Sequence, residues 1–345
     1  MARLILLQRL IAVGILFAVC SYLVLVKTFY RDVLNNGAQK AYSSDLNGDL
    51  QIEKNQTRRG QSQPTHSQLE IVELRNVSVY GNHRQKKGFL TIGIPSVKRP
   101  MGAVYLLQTI TYIINRTSPS EQENIVLLVF LANFDTKYNE NVLKILSAKF
   151  DDYIKSGFIL VLQVPENNYP PLENLKRNYN DSPEKVKWRS KQNVDYAFMF
   201  LYGKNISEYY IQIEDDVIPA LGFFKDIRDF ILANDKEPWV CLEFSVLGFI
   251  GKLFKSKDLE KLARFLLLFY DEQPCDWLIL HFLMSMTQKE HIYHKQSLFQ
   301  HLGEWSSSEE KSRKGPKIFL DIYFKDVKNN QTISTKGKVK IKIPR

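Results

Sequence analysis

The stretch Tyr209-Tyr-Ile-Gln-Ile-Glu-Asp-Asp-Val217 carries the strongest structural signal in this chain of 345 residues. Its first five residues are rich in aromatic and β-branched side chains and predict a buried strand. Three carboxylates follow without a break, and their mutual repulsion is unfavourable unless a cation or hydrogen-bond donors offset it. An open α/β sheet binds ligands at this end of its strands. Oxygen ligands of this kind suit Mg²⁺ or Mn²⁺, which can bridge to a diphosphate; the alternative is an acidic turn that caps the next helix.

Upstream and downstream of this stretch, apolar runs alternate between strand-like and helix-like spacing. Strands are predicted over 89–97, 125–131, 158–162 and 239–242, and helices over 105–115, 142–154, 221–233 and 258–270. The run over 125–131 is continuously apolar, as in strands that are covered on both faces. The pattern therefore predicts an α/β fold with a mostly parallel sheet flanked by helices.

Basic residues cluster at two places along the chain. Lys98 and Arg99 follow the first strand, and Lys185, Lys187, Arg189 and Lys191 alternate around the start of a helix whose apolar face begins at Val194. Cations and free N–H groups at a helix start suit a diphosphate, whereas the alternative is a solvated basic face. Neither a P-loop nor a GxGxxG motif is present, so a nucleotide would be held in another way.

Two further residues and one segment each allow two interpretations. Asp276 lies beside Trp277 at a predicted helix start, where an acid is a cap or a general base. The glycines and aromatics of 243–252 suit packing against a sugar ring or an ordinary turn and core. His301 ends a short strand or turn and is either structural or a ligand.

The N-terminus predicts a membrane anchor. Residues 10–26 form an uncharged run flanked by basic residues, at the short end for a membrane span, with a cleaved signal peptide as the alternative. A luminal location agrees with Asn-x-Ser/Thr sequons at Asn55, Asn76, Asn115, Asn205 and Asn330. Two of the three cysteines, Cys241 and Cys275, would then be luminal, and the sequence does not establish whether they pair.

Composition is that of a globular protein, with 44% hydrophobic and 24% charged residues. The net charge of +10 is spread along the chain, and without a nucleic-acid-binding motif we interpret it as a basic surface and predict no nucleic-acid partner. The predicted organisation is a cytoplasmic tail (1–9), a transmembrane signal-anchor (10–26), a polar luminal stem (27–88), a luminal globular domain (89–315) and a basic tail (316–345).

Several blocks together resemble the N-acetylglucosaminyltransferase-IV family, whose members are type II Golgi proteins that add a β1,4-linked GlcNAc to N-glycans. The resemblance covers roughly residues 89–305. It is carried by Thr91-Ile-Gly-Ile-Pro-Ser-Val-Lys-Arg99, Val186-Lys-Trp-Arg-Ser-Lys-Gln-Asn193, the acidic stretch itself, Leu242-Glu-Phe-Ser245, Leu247-Gly-Phe-Ile-Gly-Lys252 and Ser297-Leu-Phe-Gln-His301.

The resemblance implies a GT-A-like domain that binds UDP-GlcNAc with Mn²⁺. It implies that Asp216 and His301 contact the metal, and that the donor is bound by Lys98, Arg99, Lys187, Arg189, Lys191, Glu214 and Asp215. Inverting transfer needs a carboxylate base for the acceptor hydroxyl, and Asp276 is the first candidate with Glu243 second.

The chain departs from the family pattern. It has Asp276-Trp-Leu-Ile-Leu-His281 where active members resemble Asp-Trp-Leu-Leu-Asp-His, it lacks cysteines over 284–295, and it ends without room for a lectin-like domain. Resemblance to the short members of the family implies a non-catalytic regulator in the Golgi membrane and early secretory pathway. Such a regulator would inhibit N-acetylglucosaminyltransferase-I by association and favour high-mannose glycans, with self-association also possible. The alternative is an active inverting UDP-GlcNAc:mannoside β-1,4-N-acetylglucosaminyltransferase.

Overall fold

A mixed seven-stranded sheet forms the centre of the computed structural model, which describes residues 74–326 apart from 101, 103, 309–312, 314 and 316–319. Its strands lie in the order β1-β4-β3-β2-β5-β8-β7. β4, β3, β2 and β5 are parallel, whereas β1, β8 and β7 pair antiparallel at the edges. The strands are β1 Ser78–Tyr80, β2 Gly88–Ser96, β3 Ile125–Leu131, β4 Ile159–Gln163, β5 Ser207–Gln212, β7 Cys241–Glu243 and β8 Lys252–Lys255.

A separate antiparallel pair joins β6, Val217–Pro219, to β9, Phe299–His301. The helices are α1 Leu106–Asn115, α2 Pro119–Gln122, α3 Thr136–Lys155, α4 Pro183–Gly203, α5 Phe223–Ala233, α6 Leu259–Leu268 and α7 Cys275–Ser285. Two of the long helices begin with side-chain caps: the Asp135 carboxylate accepts from the Tyr138 N–H before α3, and the Ser182 hydroxyl accepts from the Lys185 N–H before α4.

Helices cover both faces of the sheet. Every residue of β3 is buried, and alternate side chains enter two different cores. Leu127 and Val129 pack in the core that includes α1, α3 and α5, while Leu128 and Phe130 pack in the core that includes α4, α6 and α7. Burial on both faces explains why the sequence of this strand does not alternate.

The predicted alternation of strands and helices and the mainly parallel sheet are confirmed, but the edges of the fold differ from the prediction. β8 was not predicted, because its terminal lysines hide the pairing of Leu253 and Phe254 with β5 and β7. β1 lies in the segment assigned to the stem and pairs with β4. Beyond the predicted domain end, Phe324 is buried and bridges to Ser297.

Within the described residues, no helix is both long and apolar enough to cross a membrane. The predicted anchor, most of the predicted stem and the sequons at Asn55 and Asn330 lie outside those residues. The membrane orientation therefore stays a prediction.

Candidate functional site

A cavity of about 580 Å³ opens at the carboxyl ends of β2, β3 and β5. The first half of α4 and the loop 303–307 complete its walls. This is the position at which open α/β sheets bind ligands. The acidic run, Glu214 to Asp216, lies on the cavity wall between the end of β5 and the start of β6, as its sequence predicts.

Arg99 balances the charge of two of these acids. Its Nη2 donates to Asp215 Oδ1 at 2.6 Å and to Asp216 Oδ2 at 2.9 Å, and its Nη1 donates to Asp215 Oδ2 at 3.1 Å. The Ser96 hydroxyl also donates to Asp215 Oδ2, at 2.7 Å. Both carboxylate oxygens of Asp215 thus accept hydrogen bonds from protein donors, and this arrangement supports a structural role for it more than direct contact with a metal or a bound donor.

Glu214, Asp216 and His301 form a cluster that could hold a metal ion. Each offers a ligand atom, and these atoms all lie within 4.8 Å of one another. Asp216 is 3% exposed, yet its Oδ1 has no hydrogen-bond partner among the described residues. A buried carboxylate oxygen without a partner is costly, and a cation would satisfy it. The residues present therefore fit a hard divalent ion such as Mn²⁺.

Burial and charge shift the pKa values of this cluster in different directions. Burial, followed by the nearby Asp216 charge, raises the pKa of Glu214 to about 7. Burial also acts to raise the pKa of Asp216, but its hydrogen bond with His301 and the charges of His301 and Arg99 outweigh burial and lower it. Burial acts to lower the pKa of His301, and the Asp216 hydrogen bond and charge raise it instead. Without a metal, the protonated forms of Glu214 and His301 are therefore both favoured relative to the free side chains.

The β6–β9 pair brings His301 to the acids from far along the chain. Val217 is in register with His301, which places His301 Nε2 3.3 Å from Asp216 Oδ2. Thr109 of α1 anchors the other side, since its hydroxyl donates to the Asp215 carbonyl at 2.8 Å and accepts from the Val217 N–H at 3.1 Å. Gly303 packs so closely that a Cβ there would overlap the Asp216 carboxylate. The sequence did not single out Thr109 or Gly303.

The structure divides the predicted basic residues into two groups. Lys98, Arg99 and Lys191 line the cavity. Lys187 and Arg189 do not: Lys187 pairs with Glu173 at the surface, and Arg189 is fully buried, where its Nη1 donates to the Asp271 carbonyl at 3.0 Å. Lys191 is itself held by Asp195, at 2.8 Å.

Neither candidate base lines the cavity. Asp276 is exposed at the start of α7; its neighbour Cys275 contacts Gln192, a residue of the cavity wall, with its Sγ 3.7 Å from Gln192 Oε1. Glu243 is 1% exposed and bonds to Lys252 and His291. Its surroundings therefore correspond to a structural ion pair rather than a base open to an acceptor.

One side of the cavity is formed by a loop that the sequence analysis missed. Arg99 Nε donates to the Trp305 carbonyl at 3.0 Å, and Trp188 Nε1 donates to Ser307 Oγ at 3.2 Å. The Tyr105 hydroxyl accepts from the Glu304 N–H at 3.2 Å. These partners are far apart in sequence, so no local pattern could have revealed the loop.

The structure also shows the surroundings of the described sequons, the two cysteines and the loop 243–252. The described sequon residues Asn76, Asn115 and Asn205 are exposed, as a glycan acceptor requires. Cys241 and Cys275 are both buried and free, so they do not form a disulfide. In the loop 243–252, Phe244 and Phe249 are buried in the core, which favours the packing interpretation over contact with a sugar.

Comparison with known proteins identifies the family. The family model described as "MGAT4 conserved region" matches residues 52–318. The alpha-1,6-mannosyl-glycoprotein 4-beta-N-acetylglucosaminyltransferase of Gallus gallus is 48% identical over 240 residues, which are 69% of this chain and 52% of that protein. The alpha-1,3-mannosyl-glycoprotein 4-beta-N-acetylglucosaminyltransferase C of Sus scrofa is 48% identical over 223 residues, covering 65% of this chain and 46% of that protein.

The A form of the latter enzyme from Bos taurus is 40% identical over 232 residues, covering 63% of this chain and 43% of that protein. The chain thus spans about half the length of these relatives. Among solved structures, S. aureus TarS 1–349 in complex with UDP-GlcNAc has a TM-score of 0.31 and 11% identity, with 50% of this chain and 47% of that chain covered. Because the family model matches most of the chain, the chain belongs to the MGAT4 family and has an N-acetylglucosaminyltransferase-IV-like scaffold.

Proposed function

We propose that this protein is a regulator of N-glycan processing that retains a UDP-GlcNAc-binding cavity but does not itself transfer the sugar. It would be anchored in the Golgi membrane and early secretory pathway with its GT-A-like domain in the lumen. The observation that carries this proposal is the contrast between a cavity with an intact metal-ligand cluster and two candidate bases that both lie outside it.

The donor half of the proposal is supported by charge. Glu214, Asp216 and His301 would hold Mn²⁺, whose chemistry when bound is to neutralise the diphosphate and the departing UDP. Lys98 and Lys191 line the same cavity and would donate to the phosphates, although each already pairs with an acid, Lys98 with Asp135 at 3.3 Å and Lys191 with Asp195 at 2.8 Å. Trp188 and Trp305 also line it and offer apolar surface to a ring of the nucleotide or the sugar.

The positions of the two candidate bases support the second part of the proposal, that the protein regulates and does not transfer the sugar. Transfer with inversion needs a base within hydrogen-bond reach of the acceptor hydroxyl. Glu243 is committed to Lys252 and His291, and Asp276 is exposed to solvent beyond the cavity wall. The departure from the family at Leu280 falls one helical turn after Asp276, on the same helix.

The proposed partners are Golgi glycosyltransferases such as N-acetylglucosaminyltransferase-I, which this protein would inhibit by association, and a second copy of the chain. A protein with a transferase scaffold could occupy a position in a glycosyltransferase assembly without competing for turnover. Inhibition of this kind would leave N-glycans in the high-mannose form.

An active β-1,4-N-acetylglucosaminyltransferase is the second candidate. It is favoured by the relatives at 40–48% identity, which are all named as such enzymes. In that case Asp276 would have to approach the acceptor when substrates bind, since bonds to a base often tighten only in the complex.

A turnover assay separates the two candidates. The full chain is incubated with UDP-GlcNAc, Mn²⁺ and a biantennary N-glycan, beside its Asp216→Ala and Asp276→Asn variants. The proposal predicts no transfer, together with co-precipitation of N-acetylglucosaminyltransferase-I and a shift of cellular glycans to high-mannose forms. Transfer by the wild-type chain that is lost in both variants would establish the enzyme instead.

A further inference from the structure

The last described segment of the chain, 321–326, packs against the strand pair that carries part of the metal-ligand cluster. β6 and β9 have three residues each and form a sheet of their own, separate from the seven-stranded sheet. A two-stranded pair is marginally stable by itself, and bringing together strands that are far apart in the chain costs loop entropy. The pair therefore depends on contacts from outside it. The segment lies beyond residue 318, where the match to the family model ends.

Gln300 of β9 joins this segment to the strand that carries His301. The Asp321 N–H donates to Gln300 Oε1 at 2.9 Å, and Gln300 Nε2 donates to the His301 carbonyl at 2.8 Å. Gln300 is 1% exposed and Asp321 is 2% exposed, so these bonds are shielded from water and costly to lose. One buried side chain thus connects the backbone of the segment to the backbone of a candidate metal ligand.

Backbone bonds and one aromatic ring hold the segment beside the residues that lead into β9. The Ser297 N–H donates to the Tyr323 carbonyl, and the Lys325 N–H donates to the Ser297 carbonyl, each at 2.9 Å. The Phe324 ring is buried in the core that also contains Phe299. Apolar packing and hydrogen bonds therefore both attach the segment to this strand.

The other end of the segment is attached to the end of β6. Arg116, which follows α1, donates through its Nη1 to the Pro219 carbonyl and to Asp326 Oδ2, the latter at 2.7 Å. The Asp326 carboxylate also accepts from the Leu221 N–H at 3.2 Å, and Lys325 Nζ donates to the Leu221 carbonyl at 3.0 Å. Both strands of the pair are thus held by contacts with one segment.

We propose that the segment 321–326 positions the metal cluster, because it holds β6 and β9 together and so keeps His301 Nε2 at 3.3 Å from Asp216 Oδ2. Gln300 and Asp326 are the positioning residues, and neither of them lines the cavity. The metal rests on the proposed function, whereas the contacts of the segment with the strand pair do not.

The expected effect on metal affinity depends on how often the strand pair is closed. A ligand that binds only the closed arrangement has its apparent affinity reduced by the fraction of molecules in which that arrangement exists. Removing a residue that orients metal ligands typically costs about 10- to 100-fold in metal affinity. A role in stability alone would instead lower the melting temperature and leave the Mn²⁺ affinity of the folded protein unchanged.

Gln288 provides a matched control at one edge of the seven-stranded sheet. It is also buried and also bridges backbone groups, since its Oε1 accepts from the N–H groups of Val240 and Cys241 and its Nε2 donates to the Cys241 carbonyl at 3.0 Å. These bonds hold β7, and none of the three residues lines the cavity. Gln288→Met should therefore lower the stability of the fold without changing the metal cluster.

The test is calorimetric titration of the full chain with Mn²⁺ in the presence of UDP, beside the variants Gln300→Met, Gln288→Met, Asp326→Ala and Asp326→Asn. We expect Gln300→Met and Asp326→Ala to lose Mn²⁺ affinity at least tenfold and Gln288→Met to bind like the wild type. Asp326→Asn keeps an acceptor for the Leu221 N–H, so it should lose less affinity than Asp326→Ala. Melting temperatures identify any variant that does not fold, and Asp326→Asn, the mildest change, preserves the test if the other substitutions prevent folding.

Hydrogen exchange of the metal-free protein tests the contact between the segment and the strand pair directly. Amide protons of β6 and β9 should exchange faster in Gln300→Met and Asp326→Ala, whereas those of β3 should exchange at the wild-type rate. Unchanged exchange in β6 and β9, or wild-type Mn²⁺ affinity despite faster exchange, would overturn the proposal. An equal loss of affinity in Gln288→Met would also overturn it, because general destabilisation would then explain the effect.

A wild-type chain that binds no Mn²⁺ would overturn the proposed metal site instead. Exchange alone would then decide whether the segment 321–326 holds the strand pair, with faster exchange in the variants supporting this role and unchanged exchange excluding it.

Discussion

Asp216 is the residue on which the charge balance of the cavity depends. Its Oδ2 accepts from Arg99 and lies 3.3 Å from His301 Nε2, while its Oδ1 is buried without a partner among the described residues. One oxygen is thus held in position by protein cations and the other remains available to a metal. A carboxylate fixed in this way loses little freedom when it binds an ion.

Gly303 tests how closely the site is packed. A Cβ at this position would overlap the Asp216 carboxylate, so Gly303→Ala should push Asp216 away from His301. We expect Mn²⁺ affinity to fall at least tenfold, with a loss of about 1–3 kcal/mol in unfolding free energy from overpacking. Calorimetric titration with Mn²⁺ and UDP measures the first effect and denaturant unfolding the second. Wild-type Mn²⁺ affinity in this variant would show that Gly303 does not position the acid.

Protonation of Glu214 predicts a pH dependence of metal binding. Its pKa is raised to about 7 in the metal-free protein, so a proton must leave before the carboxylate can bind a cation. The raised pKa of His301 acts in the same direction. Mn²⁺ affinity should therefore rise as pH increases from 6 to 8, and titration in buffers of different ionisation enthalpy should detect proton release.

The raised pKa of Glu214 also predicts how the stability of the metal-free protein changes with pH. A carboxyl whose pKa is raised on folding binds more protons in the folded state, so its contribution to stability falls as pH rises from about 4.5 to about 7. Glu214→Gln should remove this part of the pH dependence of the unfolding free energy.

If Mn²⁺ affinity did not change over pH 6–8, the assignment of Glu214 as a ligand would be wrong.

Helix α4 shows how a single element presents two faces to different neighbours. Trp188, Lys191, Gln192 and Asp195 recur at helical spacing and line the cavity, whereas Arg189 and Asn193 lie one residue on and point to the turn over 270–273. Lys187 falls outside both faces and reaches Glu173 at the surface. The sequence identified the helix and its basic start correctly. The sequence could not show which of these basic residues line the cavity, because the direction of each helix face depends on neighbours that are distant in sequence.

Arg189 and Lys187 provide a matched pair of substitutions. Arg189→Met removes a buried partner of Asp181 and the bond to the Asp271 carbonyl, so it should lower the unfolding free energy by about 2–4 kcal/mol. Lys187→Ala, at an exposed ion pair, should change stability by less than about 1 kcal/mol. Chemical denaturation measures the unfolding free energy of each variant. Titration of each folded variant with UDP measures nucleotide binding. Loss of UDP binding in Lys187→Ala with unchanged folding would restore its predicted role in the donor site.

The pair of strands β7 and β8 gives a similar test for Glu243. Lys252 and His291 both bond to its buried carboxylate, so removing Lys252 leaves a charge that is only partly compensated. Lys252→Met should cost about 3–5 kcal/mol of unfolding free energy, and adding Glu243→Gln should recover part of it. A stable Lys252→Met protein would show that Glu243 is not held as a structural ion pair.

For the molecule as a whole, the sequence predicted more of the centre than of the edges. Continuous apolar runs such as β3 identify parallel strands covered by helices, and the acidic run at the end of β5 identifies the edge of the sheet at which the cavity opens. The contact of His301 with Asp216 depends on the β6–β9 pairing, which joins segments separated by much of the chain. Only the resemblance to a family indicated it, because no local propensity encodes long-range pairing.

The whole-molecule account holds that a divalent ion on Glu214, Asp216 and His301 fixes UDP-GlcNAc in the cavity. The most direct measurement is calorimetric titration of the full chain with UDP-GlcNAc, with and without Mn²⁺, beside the Asp216→Asn variant. The account predicts binding that requires Mn²⁺ and is weakened at least a hundredfold in Asp216→Asn, with its fold unchanged. Binding that is equally tight without Mn²⁺ or in the variant, or no binding by the wild-type chain, would contradict it.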